Sequence, residues 1–131
     1  MNNLGILGES RVISELIKCK YEVFTQFSGK APFDMVAYKD STLYRVEVKS
    51  TRTRTKYDTG WEVQLKRSRP NRSSNIIHKF DNTSCDILAI YIEPLDEVLL
   101  IQSVEVTTTC SLSILDNDLE GPSEGWRRSP T

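Results

Sequence analysis

The chain has 131 residues, 38% of them hydrophobic, and a formal net charge of −1, which fits one soluble globular domain and leaves no room for two independent cores. No apolar run approaches the roughly 20 residues of a membrane span, and no basic stretch followed by a long apolar one opens the chain, so a cytosolic protein without a membrane partner is expected. Cys19, Cys85 and Cys110 are odd in number and far apart, and His78 is the sole histidine, which argues against a disulfide framework or a zinc finger.

The spacing of Ile6, Ile13, Leu16 and Ile17 predicts a helix from about Leu4 to Cys19. Tyr21 to Phe27 is rich in β-branched and aromatic residues and reads as a strand, ended by Ser28, Gly29 and Pro32. Phe33 to Tyr38 and Leu43 to Ser50 read as two strands around the polar turn Lys39, Asp40, Ser41, Thr42. Trp61 to Leu65 alternates as a half-buried strand does, with Gln64 on the side opposite Val63 and Leu65. Pro70 interrupts the chain, and Ile76, Ile77 and Phe80 are spaced for a short flanking helix. Ile87 to Ile92 is apolar throughout, a buried strand that serves either as core or as an interface between subunits; Pro94, Asp96 and Glu97 then turn the chain into Val98 to Ile101. The sum is a mixed α/β domain over residues 1–115. Residues 116–131, rich in Pro, Gly, Ser and charge, are expected to form a loosely ordered tail.

The two signs of charge are sorted along the chain. Lys49 to Lys79 contains nine Lys or Arg against only Asp58 and Glu62, whereas Phe80 to Glu124 contains ten Asp or Glu and no Lys or Arg. A locally basic stretch attracts phosphate even in a nearly neutral protein, because fields decay within about 10 Å at ordinary salt; as a bare pattern it is equally a solvated surface.

The hairpin carries the chemistry. If its turn is symmetric about Asp40 and Ser41, Val36 lies opposite Arg45 and Asp34 opposite Glu47, and residues so paired share a face with Cβ atoms about 4.5–5.5 Å apart. Lys49 follows two residues along on the same face. Two carboxylates that close repel unless a cation lies between them, and hard oxygen ligands suit Mg²⁺. Lys49 beside such an ion could position or deprotonate a water, or stabilise charge developing on a phosphate. Glu9, three residues after Ile6 and four before Ile13, is placed on the helix's apolar face; there it is either salt-bridged to Arg45 or Lys49, or a further carboxylate beside the metal.

With Asp34 in Ala31-Pro32-Phe33-Asp34 and the second half-motif in Val46-Glu47-Val48-Lys49, the chain resembles the PD-(D/E)XK nuclease superfamily over roughly Leu4 to Ile101. It departs in one respect, since the proline stands two residues before Asp34 and not immediately before it. The resemblance implies a restriction-endonuclease-like core, a mixed central β-sheet with an N-terminal helix and a flanking helix. It implies hydrolysis of phosphodiester bonds with Asp34, Glu47 and Glu9 at Mg²⁺ or another divalent cation such as Mn²⁺, and Lys49 as the catalytic lysine. Two small types are similar. Compact homing endonucleases of phage and cyanobacterial type match the length and the Cys85 to Tyr91 strand, while Holliday-junction resolvases share the Gly8-Glu9 helix start. Double-stranded DNA is then the expected partner, in the cytoplasm of a bacterium or phage-infected host. Cutting two strands needs two active sites, hence a homodimer or homotetramer. Contacts are expected from Arg52, Arg54, Lys56, Lys66, Arg67, Arg69 and Arg72, with Gln64 either reaching the site or a base or lying as an ordinary surface residue. Tyr57 and Trp61 are expected to pack, and His78 to be a surface or capping residue. A DNA-binding module without catalysis is the competing class; it predicts that the basic segment matters and the carboxylates do not.

Overall fold

A computed structural model describes residues 3–70 and 75–119, with the backbone alone for 67–70 and 75–77. Helix α1 (Leu4–Lys18) opens the domain. It ends where Lys20 takes a left-handed conformation (φ 73°), so that the Lys20 N–H donates to the Ile17 carbonyl and the Tyr21 N–H to the Leu16 carbonyl, each at 3.0 Å. This paired closure satisfies the last carbonyls of the helix.

Strands β1 (Glu22–Thr25), β2 (Met35–Lys39), β3 (Thr42–Thr51), β8 (Ile87–Ile92) and β9 (Glu97–Gln102) form the central sheet in the order β1-β2-β3-β8-β9. All neighbours are antiparallel except β3 and β8, which run parallel. The β2–β3 hairpin turns through Asp40 (φ 52°) and Ser41 (φ 65°), both left-handed, as a tight two-residue turn requires. Its register places Val36 opposite Arg45 and Tyr38 opposite Leu43, as the symmetric turn predicts.

Between β3 and β8 the chain builds two smaller layers. Strands β4 (Thr53–Arg54) and β5 (Gly60–Gln64), joined by β10 (Ser111–Leu115), form a three-stranded sheet; β6 (Arg67–Pro70) and β7 (Asn75–His78) form a separate antiparallel ribbon. The central sheet is therefore covered on both faces. One face carries Met35, Ala37, Val46, Ala89, Tyr91 and Leu100 under Val12 and Leu16 of α1. The other carries Leu88, Ile90, Ile92, Leu99 and Ile101 against Trp61, Val63, Leu65, Leu112 and Ile114 of the second sheet. Every residue of β8 is buried. Each Leu or Ile so buried contributes about 1.5–3 kcal/mol, which makes Ile87–Ile92 ordinary core and not an exposed docking strand.

The structure departs from these expectations at several points. The buried line of α1 is Gly8, Val12, Glu15 and Leu16, while Ile6 and Ile17 are 66% and 56% exposed, so Glu9 lies on the flank of the helix. Gly8 is the cause: a Cβ there would collide with the Ser50 hydroxyl, so the bare backbone lets α1 lie directly on β3 and sets its roll. The flanking helix expected at Ile76 to Phe80 is strand β7, whose backbone pairs with β6 and whose two adjacent isoleucines favour extended structure. Among the described residues α1 is the only α-helix, the others being short 3₁₀ turns at Glu93–Leu95, Ser103–Glu105 and Asp116–Leu119. Tyr57, expected to pack, is 78% exposed. The first residues of the expected tail are anchored, since Asp116 accepts two hydrogen bonds from Arg54 and Leu119 packs against the core; 120–131 lie outside the described residues.

Candidate active site

The two-residue period of β3 sends its side chains alternately to the two covered faces. Val46 and Val48 go under the helix. Glu47 and Lys49 stand beside Leu88 and Ile90 in the parallel register with β8, and so point toward the second sheet. Glu47 is 5% exposed and its Oε1 lies 3.7 Å from the Lys49 Nζ. A buried carboxylate is tolerated because an ammonium lies beside it. One turn of the pleat further on, Thr51 donates its hydroxyl hydrogen to the Glu62 carbonyl at 2.5 Å, tying this end of β3 to β5.

Asp34 sits just ahead of β2, where regular pairing ends at Met35 opposite Val46. Its N–H donates to the Val46 carbonyl at 2.9 Å, and its Oδ2 accepts the Val48 N–H at 2.7 Å. The carboxylate is thereby fixed on the peptide that joins Glu47 to Val48. Glu9 approaches from the start of α1: partial burial, and then the charge of Asp34, hold its carboxyl above the usual range. Glu9 and Asp34 thus feel one another, and Asp34 is clamped to the backbone between Glu47 and Val48, while Lys49 pairs with Glu47. Among the described residues no three His, Cys, Asp or Glu side chains close into a ready-made metal cage. The oxygen donors on offer are few, the condition under which Mg²⁺ binds through one or two carboxylates and keeps its waters.

Glu47 opens into a cleft of about 180 Å³ whose other walls are Leu65, His78, Lys79, Phe80, Asp81 and Ser84. Asp81 is occupied within its own turn. Its Oδ1 accepts the Thr83 hydroxyl at 2.6 Å and the Thr83 N–H at 2.9 Å, and these bonds hold its carboxyl below the usual range. His78 and Lys79 were not singled out by sequence reasoning as site residues. The one available signal was that Lys79 is the last cation before the charge reverses.

The basic residues fare unequally. Arg52, Lys56 and Lys66 are exposed; Arg52 approaches Glu93 at 3.9 Å, and the Lys56 ammonium lies 5.5 Å from the centre of the Tyr57 ring. Gln64 is exposed on the outer side of β5, opposite buried Val63 and Leu65. Arg54 is already committed within the fold, donating to Asp58 at 2.7 Å and to both oxygens of Asp116 at 2.9 Å while stacked 4.7 Å over the Trp61 ring. Arg67 and Arg69 occupy β6, with side chains outside the described residues, as is Arg72 altogether.

No curated protein matches this sequence. Among solved structures, the bacterial homing endonuclease I-Ssp6803I superposes with a TM-score of 0.74 over 90% of this chain and 80% of that one, at 19% sequence identity, so the two share a fold. A family model described as PD-(D/E)XK endonuclease matches residues 2–124. Nearly the whole chain, including the hairpin that carries Asp34, Glu47 and Lys49, is spanned by that match, and the chain belongs to the PD-(D/E)XK endonuclease family.

Proposed function

We propose that this nuclease is a divalent-metal-dependent endonuclease that cuts double-stranded DNA at a preferred site, with homing as its biological use and a homodimer or homotetramer as its working form. The observation that carries the reading is the pairing of buried Glu47 with Lys49 at 3.7 Å, with Glu47 lining a cleft and the clamped carboxylate of Asp34 held on the adjoining peptide. Nucleases of this family generally use divalent metals, and the hard oxygen donors of Asp34 and Glu47, with Glu9 alongside, fit Mg²⁺ or Mn²⁺. When bound, the ion supplies Lewis-acid stabilisation of charge on the phosphoryl group.

The chain's own groups do the rest. The Val48 N–H fixes the orientation of Asp34, and the packing of β3 against β8 keeps Glu47 and Lys49 from moving, so the site is organised before substrate arrives. The Lys49 ammonium balances Glu47 in the resting state and faces the phosphoryl oxygens when DNA is bound. In hydrolysis a water molecule gives up a proton as its oxygen bonds to phosphorus, the bond from phosphorus to one bridging oxygen breaks, and the departing oxygen takes up a proton in turn. Arg52, Lys56 and Lys66, together with the β6–β7 ribbon bearing Arg67 and Arg69 and the following Arg72, hold the duplex by its phosphates; a two-stranded ribbon is narrow enough to enter a major groove.

The reading is tested by incubating the protein with supercoiled plasmid and Mg²⁺, with and without EDTA, beside Asp34→Asn and Lys49→Ala. Metal-dependent cutting that both variants lose while still binding duplex is the expected result. Cutting that survives in both variants, or no cutting in any sample, removes it. Four-way junctions cut in preference to linear duplexes irrespective of sequence would retain the nuclease and replace the homing role by junction resolution.

A further inference from the structure

Lys79 lines the Glu47 cleft yet takes no part in the chemistry described above. Its side chain is exposed and makes no ion pair with a described residue. The backbone on both sides of it is held. On one side His78 is paired with Arg67 at the end of the β6–β7 ribbon; on the other the Phe80 N–H donates to the Thr109 carbonyl at 2.9 Å and the Phe80 ring is buried in the core. The carboxylate nearest in sequence, Asp81, is turned to Thr83 through its Oδ1 and makes no ion pair with Lys79. The cleft has roughly six water volumes of room, enough for one phosphodiester group.

We propose that Lys79 is a substrate-positioning residue that binds a DNA backbone phosphate adjoining the one to be cut, in the cleft that it shares with Glu47. This inference rests on the nuclease reading. A duplex seated on the ribbon passes the ribbon's root, and the root is where Lys79 and Glu47 share a cavity. An ammonium on a flexible four-carbon stem suits this role, since it holds phosphate as a point charge without fixing base identity.

The test uses the full chain and a fluorescein-labelled random-sequence duplex in EDTA, titrated over a range of salt, with plasmid cutting in Mg²⁺ measured alongside. Lys79→Ala is expected to weaken binding about threefold to tenfold and to reduce the salt slope by about 0.9, the loss of one phosphate contact. Lys79→Arg restores the slope. KM for plasmid rises with the weakened binding, kcat stays within about threefold, and thermal stability is unchanged, as for other exposed substitutions. Wild-type protein that cuts, beside a Lys79→Ala variant with unaltered affinity and slope, overturns this inference and spares the nuclease reading. Wild type that binds duplex without cutting, with the slope change present, overturns the nuclease reading and leaves of this inference only the phosphate contact at Lys79. Wild type that binds no DNA overturns both.

Discussion

On strand β3, Val46 and Val48 lie beneath helix α1, while Glu47 and Lys49, each one residue along, take the side of the second sheet, where Glu47 lines a cleft. The same backbone serves as core on one side and as a polar site on the other. A charged pair can be kept at that depth because the strand is anchored by its apolar face and by a parallel partner, β8, that is buried throughout. Rigidity comes from one face and, on the proposed reading, reactivity from the other, so the two should respond differently to substitution.

The largest separation is expected from Lys49→Ala, which should lower kcat for plasmid cutting by at least about 10²–10³, in the range found on removing one preorganised electrostatic group, with duplex affinity in EDTA nearly unaltered. Equal loss of binding and cutting would mean that Lys49 holds DNA and not the reacting phosphate. On the other face, Leu16→Ala empties a fully buried position of α1 and should cost about 2–5 kcal/mol in urea unfolding, while the rate per folded molecule is kept. A change in rate with no change in stability would erase the distinction between the faces.

Gly8→Ala probes the contact of α1 with β3 on the helix-covered face. The new methyl meets the Ser50 side chain, and overpacking of this kind costs about 1–3 kcal/mol. Combining it with Ser50→Gly should recover part of the loss, a coupling of about 0.5 kcal/mol or more in a double-mutant cycle; strict additivity would mean that the helix does not rest on this pair. Arg54→Ala should reduce the melting temperature by less than Leu16→Ala and leave the salt slope of DNA binding as it was, because the guanidinium is spent on Asp58 and Asp116. A reduced slope would return Arg54 to the DNA surface.

The smallest effect is expected at the start of β3. Asp86 accepts the Arg45 N–H at 2.7 Å and its guanidinium at 3.1 Å, and these bonds hold its carboxyl below the usual range. A carboxyl lowered in the folded state stabilises at pH values above its unfolded pKa of about 3.9, and that stabilisation is lost as pH falls through the folded value. Asp86→Asn should therefore unfold at slightly lower urea than wild type at pH 7, with the gap closing below about pH 4. A gap that does not vary with pH would show that the pairing contributes no net charge interaction.

Much of this was legible beforehand where local pattern and tertiary demand agree. The β2–β3 register followed from a symmetric polar turn, since a two-residue period allows no slip once one face must be buried. The extents of α1 and β8 were likewise close to the structure, differing by a single residue at the helix end. The β6–β7 ribbon was missed because Ile76, Ile77 and Phe80 suit more than one period, and only the partner strand decides between them. The roll of α1 was misjudged because large isoleucines mark an apolar stripe, whereas the helix settled on its smallest residue, Gly8. The role of Arg54 was hidden because its acceptor, Asp116, lies 62 residues away.

By itself the sequence determined which residues alternate, where turns fall, and that Asp34, Glu47 and Lys49 belong to one hairpin, because these are consequences of short-range geometry. Only the tertiary structure decided that Glu47 opens onto a cleft walled by His78 and Lys79, that Glu9 approaches Asp34 from the flank of the helix and not from its buried face, and which cations remain free for a partner. Those outcomes depend on how layers pack across long stretches of chain, where shape and burial choose among arrangements that local pattern leaves equal.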